Sequence, residues 1–381
     1  MEFSEEQILL KNTVSRFAKE QVAPLASEID EQERFPSETF EKMSQLGLLG
    51  LGIPEEYGGV GGGIVESCIV GEGLARYCAS TVASWGAHVD LCAANICRNG
   101  SEEQKKRLLP DLASGKKLGG MAMTEPDAGS DVFAMKTRAV EDGDFFILNG
   151  RKTFITNGPV GDIFLVYAKT DPKARGKGIT AFVVEKGFQG FSKGKKFKKL
   201  GWHGSPTGDL IFEDCRVPRE NVIGEINGGA KILLSGLNSE RLLLAAESLG
   251  LAKECLKDAT QYGTERIQFG KRIADFQMVM EKLARMATKV EAAKAMVWSQ
   301  AFKMAGKGPA SMSMETAAAK LFASETALQN ALDATQIFGG YGYIREFPVE
   351  RYLRDARIMT IGGGTSEIMC QVIFRELEKG L

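Results

Sequence analysis

The sequence is poor in the side chains that bind metals. Its 381 residues include two histidines, His88 and His203, and seven irregularly spaced cysteines with no Cys-x-x-Cys pair. Zinc sites draw their ligands from clustered cysteine and histidine residues, so no metal site is expected. The odd number of scattered cysteines instead predicts free thiols in a reducing compartment.

Several signatures of catalysis and nucleotide binding are also missing. The chain has no P-loop, no Gly-x-Ser-x-Gly elbow, no His-Glu-x-x-His pair and no Gly-x-Gly-x-x-Gly turn. The glycine run Tyr57–Gly63 does not follow a convincing strand and is predicted to be a surface loop. A chain without metal ligands or an activated nucleophile is expected to take its chemistry from an organic cofactor.

Charge and hydropathy exclude further classes of partner. The formal net charge is −1 and charged residues make up 25% of the chain, which predicts no strong attraction for nucleic acid or an anionic membrane. No apolar run reaches the roughly 18 residues that a membrane-spanning helix needs. The first residues show no basic segment followed by an apolar stretch. No signal peptide is therefore expected, and the predicted location is cytoplasmic.

The predicted secondary structure changes twice along the sequence, which indicates three domains. Residues 1–117 read as helical, with capping-box patterns that begin at Ser4 and Ser101. Residues 118–228 alternate short β-rich runs with Asp-Gly and Asn-Gly turns, the pattern of an antiparallel barrel or sandwich. Residues 229–381 repeat leucine and methionine at helical spacing, as in a four-helix bundle. The predicted fold class is therefore α+β, with an antiparallel β domain between two helical domains.

Four motifs resemble signatures of the acyl-CoA dehydrogenase family, and the similarity extends over nearly the whole chain. They are, in the family's order, Met121–Asp131, Phe154–Gly158, Glu265–Gly270 and Gln336–Thr365. The chain is most similar to the isovaleryl-CoA dehydrogenase branch, through three shorter matches: Trp85–His88, Gly236–Leu242 and Gly362–Glu367. The resemblance implies the acyl-CoA dehydrogenase fold, FAD as cofactor, an acyl-CoA substrate and an electron-transfer flavoprotein as acceptor.

The resemblance also assigns residues to FAD and implies a homotetramer built as a dimer of dimers. Four residues are expected around the isoalloxazine ring: Met123, Thr124, Phe154 and Thr156. Six are expected to reach the cofactor from the neighbouring subunit: Arg266, Gln268, Phe269, Gln336, Gly339 and Gly340. Thr365 and Glu367 are expected at the ADP end. In this assignment the guanidinium of Arg266 binds the pyrophosphate, whose oxygens match its fork of donors.

The CoA part of the substrate has its own expected contacts. Ser130 and Arg241 fall on binding positions of the family, and Asn238 stands where another polar side chain contacts the pantetheine. The lysine run Lys193–Lys199 is either a further phosphate contact or a solvated loop.

The catalytic base is the unusual feature. In many members of the family a glutamate stands at the position of Gly363, which has no side chain and cannot take a proton. The isovaleryl branch carries this glutamate on another helix, directly before the CoA-binding arginine, and Glu240 precedes Arg241 in the same way. Glu240 is therefore predicted to remove the Cα proton, while the backbone N–H of Gly363 still binds the thioester oxygen. Glycines at 362 and 363 favour a short branched or cyclic acyl group.

Asp90 is a second unusual carboxylate. It lies on the helix that lines the acyl pocket in the family, where an unpaired aspartate is costly. In this respect the chain resembles cyclohexane- and cyclohexene-carboxyl-CoA dehydrogenases. The resemblance implies an alternative activity, a 1,4-elimination in which Asp90 removes a ring proton. The alternative interpretation is that Asp90 has no catalytic role and points to solvent or to a backbone N–H.

Two further classes compete with the dehydrogenase. An acyl-CoA oxidase would pass the electrons to dioxygen. A non-catalytic acyl-CoA-binding flavoprotein would have lost its base at position 363, although Glu240 argues against such a loss.

Overall fold

The computed structural model describes residues 2–379, and its first part is helical. The helices are α1 (Glu5–Phe17), α2 (Ala26–Gln32), α3 (Ser37–Gln45), α4 (Ile64–Ala75), α5 (Ala79–Gly86), α6 (Ala94–Asn99) and α7 (Glu102–Ala113). Both predicted capping boxes form: the Ser4 hydroxyl accepts from the N–H of Gln7 at 3.2 Å, and the Ser101 hydroxyl accepts from the N–H of Gln104 at 3.3 Å. Each cap satisfies amide donors that the helix itself leaves free.

A wide helical turn separates α5 from α6. Residues Ala87–Ala93 are π-helical, so α5, this turn and α6 form one continuous rod. Single π-helical turns within longer helices are rare and frequently occur at functional sites. This turn carries Asp90, and it is buried at nearly every position.

The middle of the chain forms one eight-stranded sheet. Its strands are β1 (Gly119–Ala122), β2 (Arg138–Asp142), β3 (Phe145–Thr156), β4 (Ile163–Lys169), β5 (Ile179–Glu185), β6 (Phe191–Lys196), β7 (Thr207–Pro218) and β8 (Val222–Ile223). They follow the order β6-β7-β3-β2-β4-β5-β8, with β1 beside β4. The sheet is mixed rather than wholly antiparallel, because β1 runs parallel to β4 after the chain leaves α7.

Both faces of the central strand β4 are buried. Ile163, Leu165 and Tyr167 point into one core, which they share with residues of α6 and α7. Phe164, Val166 and Ala168 point into a second core, formed largely within the sheet. The period of two along β4 thus produces two hydrophobic layers.

The last part of the chain is a helical bundle around one very long helix. It contains α8 (Gly229–Glu265), the short hairpin β9 (Ile267–Gln268) and β10 (Lys271–Arg272), and then α9 (Gln277–Lys307), α10 (Ser313–Phe338), α11 (Val349–Met359) and α12 (Ser366–Lys379). Alanine is the most frequent buried residue of α10, which allows the neighbouring helices to approach it closely. The predicted helical–β–helical fold is confirmed. None of the helices between residues 2 and 379 is long and apolar enough to cross a bilayer.

A buried ion pair supports the segment that joins β1 to the rest of the sheet. The ammonium of Lys152 lies 2.8 Å from the carboxylate of Glu125 and also donates to the carbonyl of Met123 at 3.0 Å. The Glu125 carboxylate accepts two further bonds, from the backbone N–H groups of Lys136 and Thr137. Burial lowers the pKa of Lys152 to about 8, and the negative charge of Glu125 opposes that shift.

Breaking this pair from one side is expected to be costly. Lys152→Met leaves the Glu125 carboxylate buried without its cation, so the free energy of unfolding should fall by about 3–5 kcal/mol. The control Lys136→Met breaks the exposed pair with Asp127, which water screens, so the free energy of unfolding should change little. Urea unfolding measures both changes. Similar small losses in the two variants would contradict the assignment of a structural role to the buried pair.

Candidate active site

Glu240 and Gly363 approach each other across the gap between α8 and the turn that follows α11. A Cβ atom placed on Gly363 would lie 3.8 Å from Oε1 of Glu240 and 3.1 Å from Cδ2 of Leu244. Gly363 has a φ of +63°, a left-handed conformation that L side chains rarely adopt. The Glu240 carboxylate therefore occupies the space toward which a side chain at position 363 would point.

The surroundings of Glu240 favour a carboxylate that titrates near neutrality. Its Oε2 atom is enclosed and has no hydrogen-bond partner among residues 2–379. Burial and, to a smaller extent, the negative charge of Asp90 raise its pKa to about 7, against the opposing charges of Arg241 and Lys320. A group with such a pKa suits a general base at physiological pH.

Asp90 faces the same interior rather than solvent. Its side chain is only 6% exposed, and Oδ2 has no partner within the described part of the chain. Burial raises the pKa of Asp90 to about 6, although the positive charge of Arg98 opposes the shift. The solvent-facing alternative left open by the sequence is therefore wrong.

Arg241 is a buried cation that keeps a free donor. Its Nη1 donates to Oδ1 of Asn238 at 3.1 Å, while its Nε has no partner in residues 2–379. The amide nitrogen of Asn238 in turn donates to the carbonyl of Pro309 and the hydroxyl of Ser313. Asn238 thus holds Arg241 in place, whereas Arg241 retains hydrogen-bonding capacity for a ligand. Ser130, the third predicted CoA contact, lies exposed in the loop after β1.

Lys320 is a site residue that the sequence analysis missed. It is fully buried on α10, and its ammonium donates to the carbonyl of Gly364 at 2.6 Å. Burial lowers the pKa of Lys320 to about 8, and the charge of Glu240 opposes this shift. Lys320 fixes the turn that carries Gly363. The one signal in the sequence was a lysine among the alanines of a helix, which could not by itself show that the side chain is buried.

The residues predicted for the isoalloxazine ring lie together at the edge of the sheet. The carbonyl of Thr124 accepts from the N–H of Thr153 at 2.8 Å, which joins the Met123–Thr124 segment to β3. Phe154 has a φ of +58° and is 66% exposed, with its ring centroid 5.5 Å from that of Phe197. Because exposed aromatics in strained conformations often mark binding sites, this edge fits a planar apolar ring such as a flavin. Thr156 ends β3 beside them.

The other predicted FAD residues form a second group at the far end of α8. The guanidinium of Arg266 lies over the ring of Tyr341 at 5.6 Å and forms no ion pair within residues 2–379. Phe269 is 92% exposed, and Cβ atoms added at Gly339 and Gly340 would meet open space. Gln268 and Gln336 are exposed nearby. An unpaired arginine beside accessible backbone fits phosphate oxygens.

The two groups do not meet within one chain. At 1.5 Å per residue, Arg266 lies about 39 Å along α8 from Glu240. Thr365 and Glu367 occupy a third position at the start of α12, where the Thr365 hydroxyl accepts from the N–H of Ile368.

A basic cavity lies near Ser130, and the sequence analysis did not predict it. The cavity has a volume of about 740 Å³ and is lined by Phe133, Asn227 and four cations: Lys173, Arg175, Lys177 and Lys231. By contrast, lysines of the run 193–199 are engaged with protein acceptors: Lys193 donates to the carbonyl of Gly161, and Lys199 to the hydroxyl of Thr207. The basic cavity is therefore the better candidate for a phosphate-binding surface.

A buried carboxylate beside a surface that fits a flavin ring is typical of flavin-dependent oxidoreductases. Comparison with known proteins identifies the family. Residues 4–116, 120–215 and 227–378 match the N-terminal, middle and C-terminal domains of acyl-CoA dehydrogenases. The chain belongs to the acyl-CoA dehydrogenase family, and it is an oxidoreductase that acts on acyl-CoA. Mitochondrial isovaleryl-CoA dehydrogenase of Solanum tuberosum is 45% identical over 99% of this chain and 92% of its own length.

Solved structures agree with this assignment. Butyryl-CoA dehydrogenase from Megasphaera elsdenii has a TM-score of 0.95 at 39% identity, over 99% of each chain. A chain from a study of the electron-transferring flavoprotein of Acidaminococcus fermentans has a TM-score of 0.95 at 42% identity, over 99% of each chain. The FAD complex of PigA has a TM-score of 0.95 at 31% identity, over 99% of each chain. The prediction of FAD as the family's cofactor is confirmed.

The raised pKa of Glu240 predicts a pH-dependent loss of stability. Between its ordinary value of 4.5 and about 7, the folded protein holds a proton that the unfolded chain has released, so stability falls as pH rises through this window. Glu240→Gln cannot ionise and should become progressively more stable than the wild type from pH 5 to pH 8. Thermal unfolding of both holoproteins across this range measures the effect. A difference that does not change with pH would contradict a buried, titrating Glu240.

Proposed function

We propose that this protein dehydrogenates a short branched or cyclic acyl-CoA, with Glu240 as the base that removes the Cα proton. The observation that carries the proposal is the carboxylate of Glu240 opposite Gly363, whose enclosed Oε2 has no partner in the described part of the chain. No other carboxylate is as close to the turn at 363 within the described residues.

The residues around Glu240 supply the remaining requirements for proton removal. The backbone N–H of Gly363 has no hydrogen-bond partner among residues 2–379, so it is free to donate to the thioester oxygen as enolate charge develops. Lys320 keeps this N–H in position by holding the next carbonyl. When bound, FAD supplies the acceptor for the hydride that leaves Cβ. Burial keeps the Glu240 carboxylate poorly solvated, which strengthens it as a base.

The space beside Cα limits which substituents the acyl group can carry. Gly362 and Gly363 carry no side chains, and a Cβ at Gly362 would meet only the carbonyl of Ile358 at 3.5 Å. Leu244, whose Cδ2 would lie 3.1 Å from a Cβ on Gly363, supplies an apolar wall on α8. This space fits a methyl branch or a ring, and the similarity to isovaleryl-CoA dehydrogenase supports the same class.

CoA and FAD are assigned to the remaining surfaces. The free donor of Arg241 and the hydroxyl of Ser130 bind the pantetheine side, and the basic cavity binds the nucleotide phosphates. Met123, Thr124, Phe154 and Thr156 contact the flavin ring. Because Arg266 lies about 39 Å along α8, it completes the FAD site of a neighbouring copy, which supports a homotetramer. Phe269, 92% exposed on the same hairpin, is then covered in the assembly.

The electron acceptor we propose is an electron-transfer flavoprotein, in a cytoplasmic setting. The alternative function is an acyl-CoA oxidase, and the rate at which air reoxidises the reduced flavin distinguishes it from a dehydrogenase. After anaerobic reduction by the substrate, a dehydrogenase regains its yellow colour slowly in air and rapidly with the flavoprotein acceptor. Rapid recolouring by air alone would favour the oxidase.

Replacing the base tests the leading function directly. Glu240→Gln should keep FAD bound but lose flavin reduction by branched acyl-CoA by at least about 100-fold, the lower range of a general-base contribution. Anaerobic bleaching of the flavin absorbance measures it. The matched control is Glu254→Gln on the same helix, whose carboxylate is paired with Arg76 and Lys257.

The alternatives give different outcomes in the same assay. Retained bleaching in Glu240→Gln would show that the base lies elsewhere. No bleaching of the wild type by any thioester would favour a non-catalytic acyl-CoA-binding flavoprotein.

A second candidate function has its own supporting observation. Asp90 is buried, its Oδ2 has no partner among residues 2–379, and it lies close enough to Glu240 to raise that residue's pKa. A base at this depth fits removal of a ring proton remote from Cα, as in the 1,4-elimination of a cyclohexene-carboxyl-CoA. In this reading Glu240 and Asp90 act on different carbons of one ring.

Asp90→Asn separates the two functions. If Asp90 is the second base, the variant should lose reduction by cyclohexene-carboxyl-CoA by about 100-fold or more and keep reduction by isovaleryl-CoA. Anaerobic bleaching with the two thioesters measures this ratio. An unchanged ratio would dismiss the 1,4-elimination.

A further inference from the structure

A third carboxylate, that of Glu247, lies deeper along the same face of α8. It follows Glu240 by seven residues, which is about two helical turns and 10 Å along the axis. Glu247 is only 4% exposed, and no hydrogen bond from another residue between 2 and 379 contributes to the pKa of its carboxylate. Its position extends the row of buried carboxylates on α8 beyond the proposed base, past Leu244.

Two glycines, Gly71 and Gly86, lie against the side chain of Glu247 and leave space for it. A Cβ atom on Gly86 would lie 3.2 Å from Oε1 of Glu247, and a Cβ atom on Gly71 would lie 3.4 Å from its Cγ. Gly86 stands one turn before Asp90 on the rod formed by α5 and the π-helical turn. Glu247 therefore lies against the rod that carries Asp90, close enough for the charge of Asp90 to act on its carboxylate.

These carboxylates differ from a structural carboxylate on the same helix. Glu254 lies a further seven residues along α8 and is as buried as Glu247. It has an ion pair with Arg76 at 2.9 Å and another with Lys257 at 2.5 Å. Asp90, Glu240 and Glu247 have no ion pair within residues 2–379. Since unpaired buried carboxylates are costly, a ligand is the expected partner.

The protonation states of Glu247 and Asp90 determine which polar group of a ligand they can bind. Burial, with a smaller contribution from the charges of Asp90 and Glu240, raises the pKa of Glu247 to about 8. At neutral pH, Glu247 is then a neutral acid that both donates and accepts, while Asp90, with a pKa of about 6, mainly accepts. A hydroxyl or an amino group on the ligand matches these two partners, whereas a methyl group leaves both unsatisfied.

We propose that Glu247 and Asp90 form a polar subsite at the far end of the acyl pocket, which binds a hydroxyl or amino substituent on the acyl chain. This inference rests on the proposed dehydrogenase function, and in it Asp90 binds the substituent instead of removing a ring proton. Glu247 is then a specificity-determining residue. Because it lies about 10 Å beyond Glu240, chains of about five to seven carbons reach it.

The test compares matched thioesters on the wild-type holoenzyme. Flavin reduction is followed anaerobically with straight-chain acyl-CoAs of about five to seven carbons and with their terminal hydroxy and amino counterparts. At one chain length, the hydroxy or amino compound should reduce the flavin at least about 10-fold more efficiently than its alkyl parent, as expected for one satisfied hydrogen bond to a buried acid. The better of the two substituents identifies the ligand class.

Variants decide whether Glu247 causes the preference. Glu247→Leu should abolish or reverse the preference by favouring the alkyl parent. Glu247→Gln, which still donates and accepts, should retain part of it. Glu254→Gln should leave it unchanged.

The proposal is overturned if the wild type prefers every alkyl parent, or if Glu247→Leu keeps the wild-type ratio. Absence of bleaching with any thioester would instead refute the dehydrogenase function on which the subsite rests.

Discussion

The close approach of α8 to the turn after α11 is the constraint on which the site depends. Gly363 adopts a left-handed conformation beside Leu244, and the Glu240 carboxylate fills the space in front of it. A side chain at 363 would be strained and would crowd Glu240, so this backbone accommodates one carboxylate at this point. The loss of a side chain at 363 and the presence of Glu240 are therefore two aspects of one packing arrangement.

The surrounding structure maintains this arrangement from both sides. Lys320 holds the carbonyl of Gly364 and leaves the N–H of Gly363 free. On α8, Asn238 anchors Arg241 to the start of α10, which orients the residue next to Glu240. The π-helical turn brings Asp90 to the same interior, and its charge helps to raise the pKa of Glu240. Buried groups with shifted pKa values are thus gathered around one small volume, as is common at catalytic centres.

Local sequence signals predicted much of this structure. The capping boxes, the helical–β–helical order and the pairing of Glu240 with Gly363 all follow from short patterns or from the family resemblance. The parallel pairing of β1 with β4 was not predictable, because it depends on where the chain re-enters the sheet after α7. Lys320 and Glu247 were missed because their roles depend on which helices face each other. Neither belongs to a recognisable motif, and burial is what makes each significant. The environment of Asp90 was undecided for the same reason, since a helix position alone does not reveal which side is buried.

The central claim is that Glu240 exchanges a proton with Cα of the acyl group, and it can be measured without hydride transfer. A thioester with no hydrogen on Cβ, such as 3,3-dimethylbutanoyl-CoA, cannot be dehydrogenated but still presents its α-protons to the base. Proton NMR in D₂O should show exchange of these α-protons with the wild-type holoenzyme and only background exchange with Glu240→Gln. Exchange at the wild-type rate in Glu240→Gln would contradict the account.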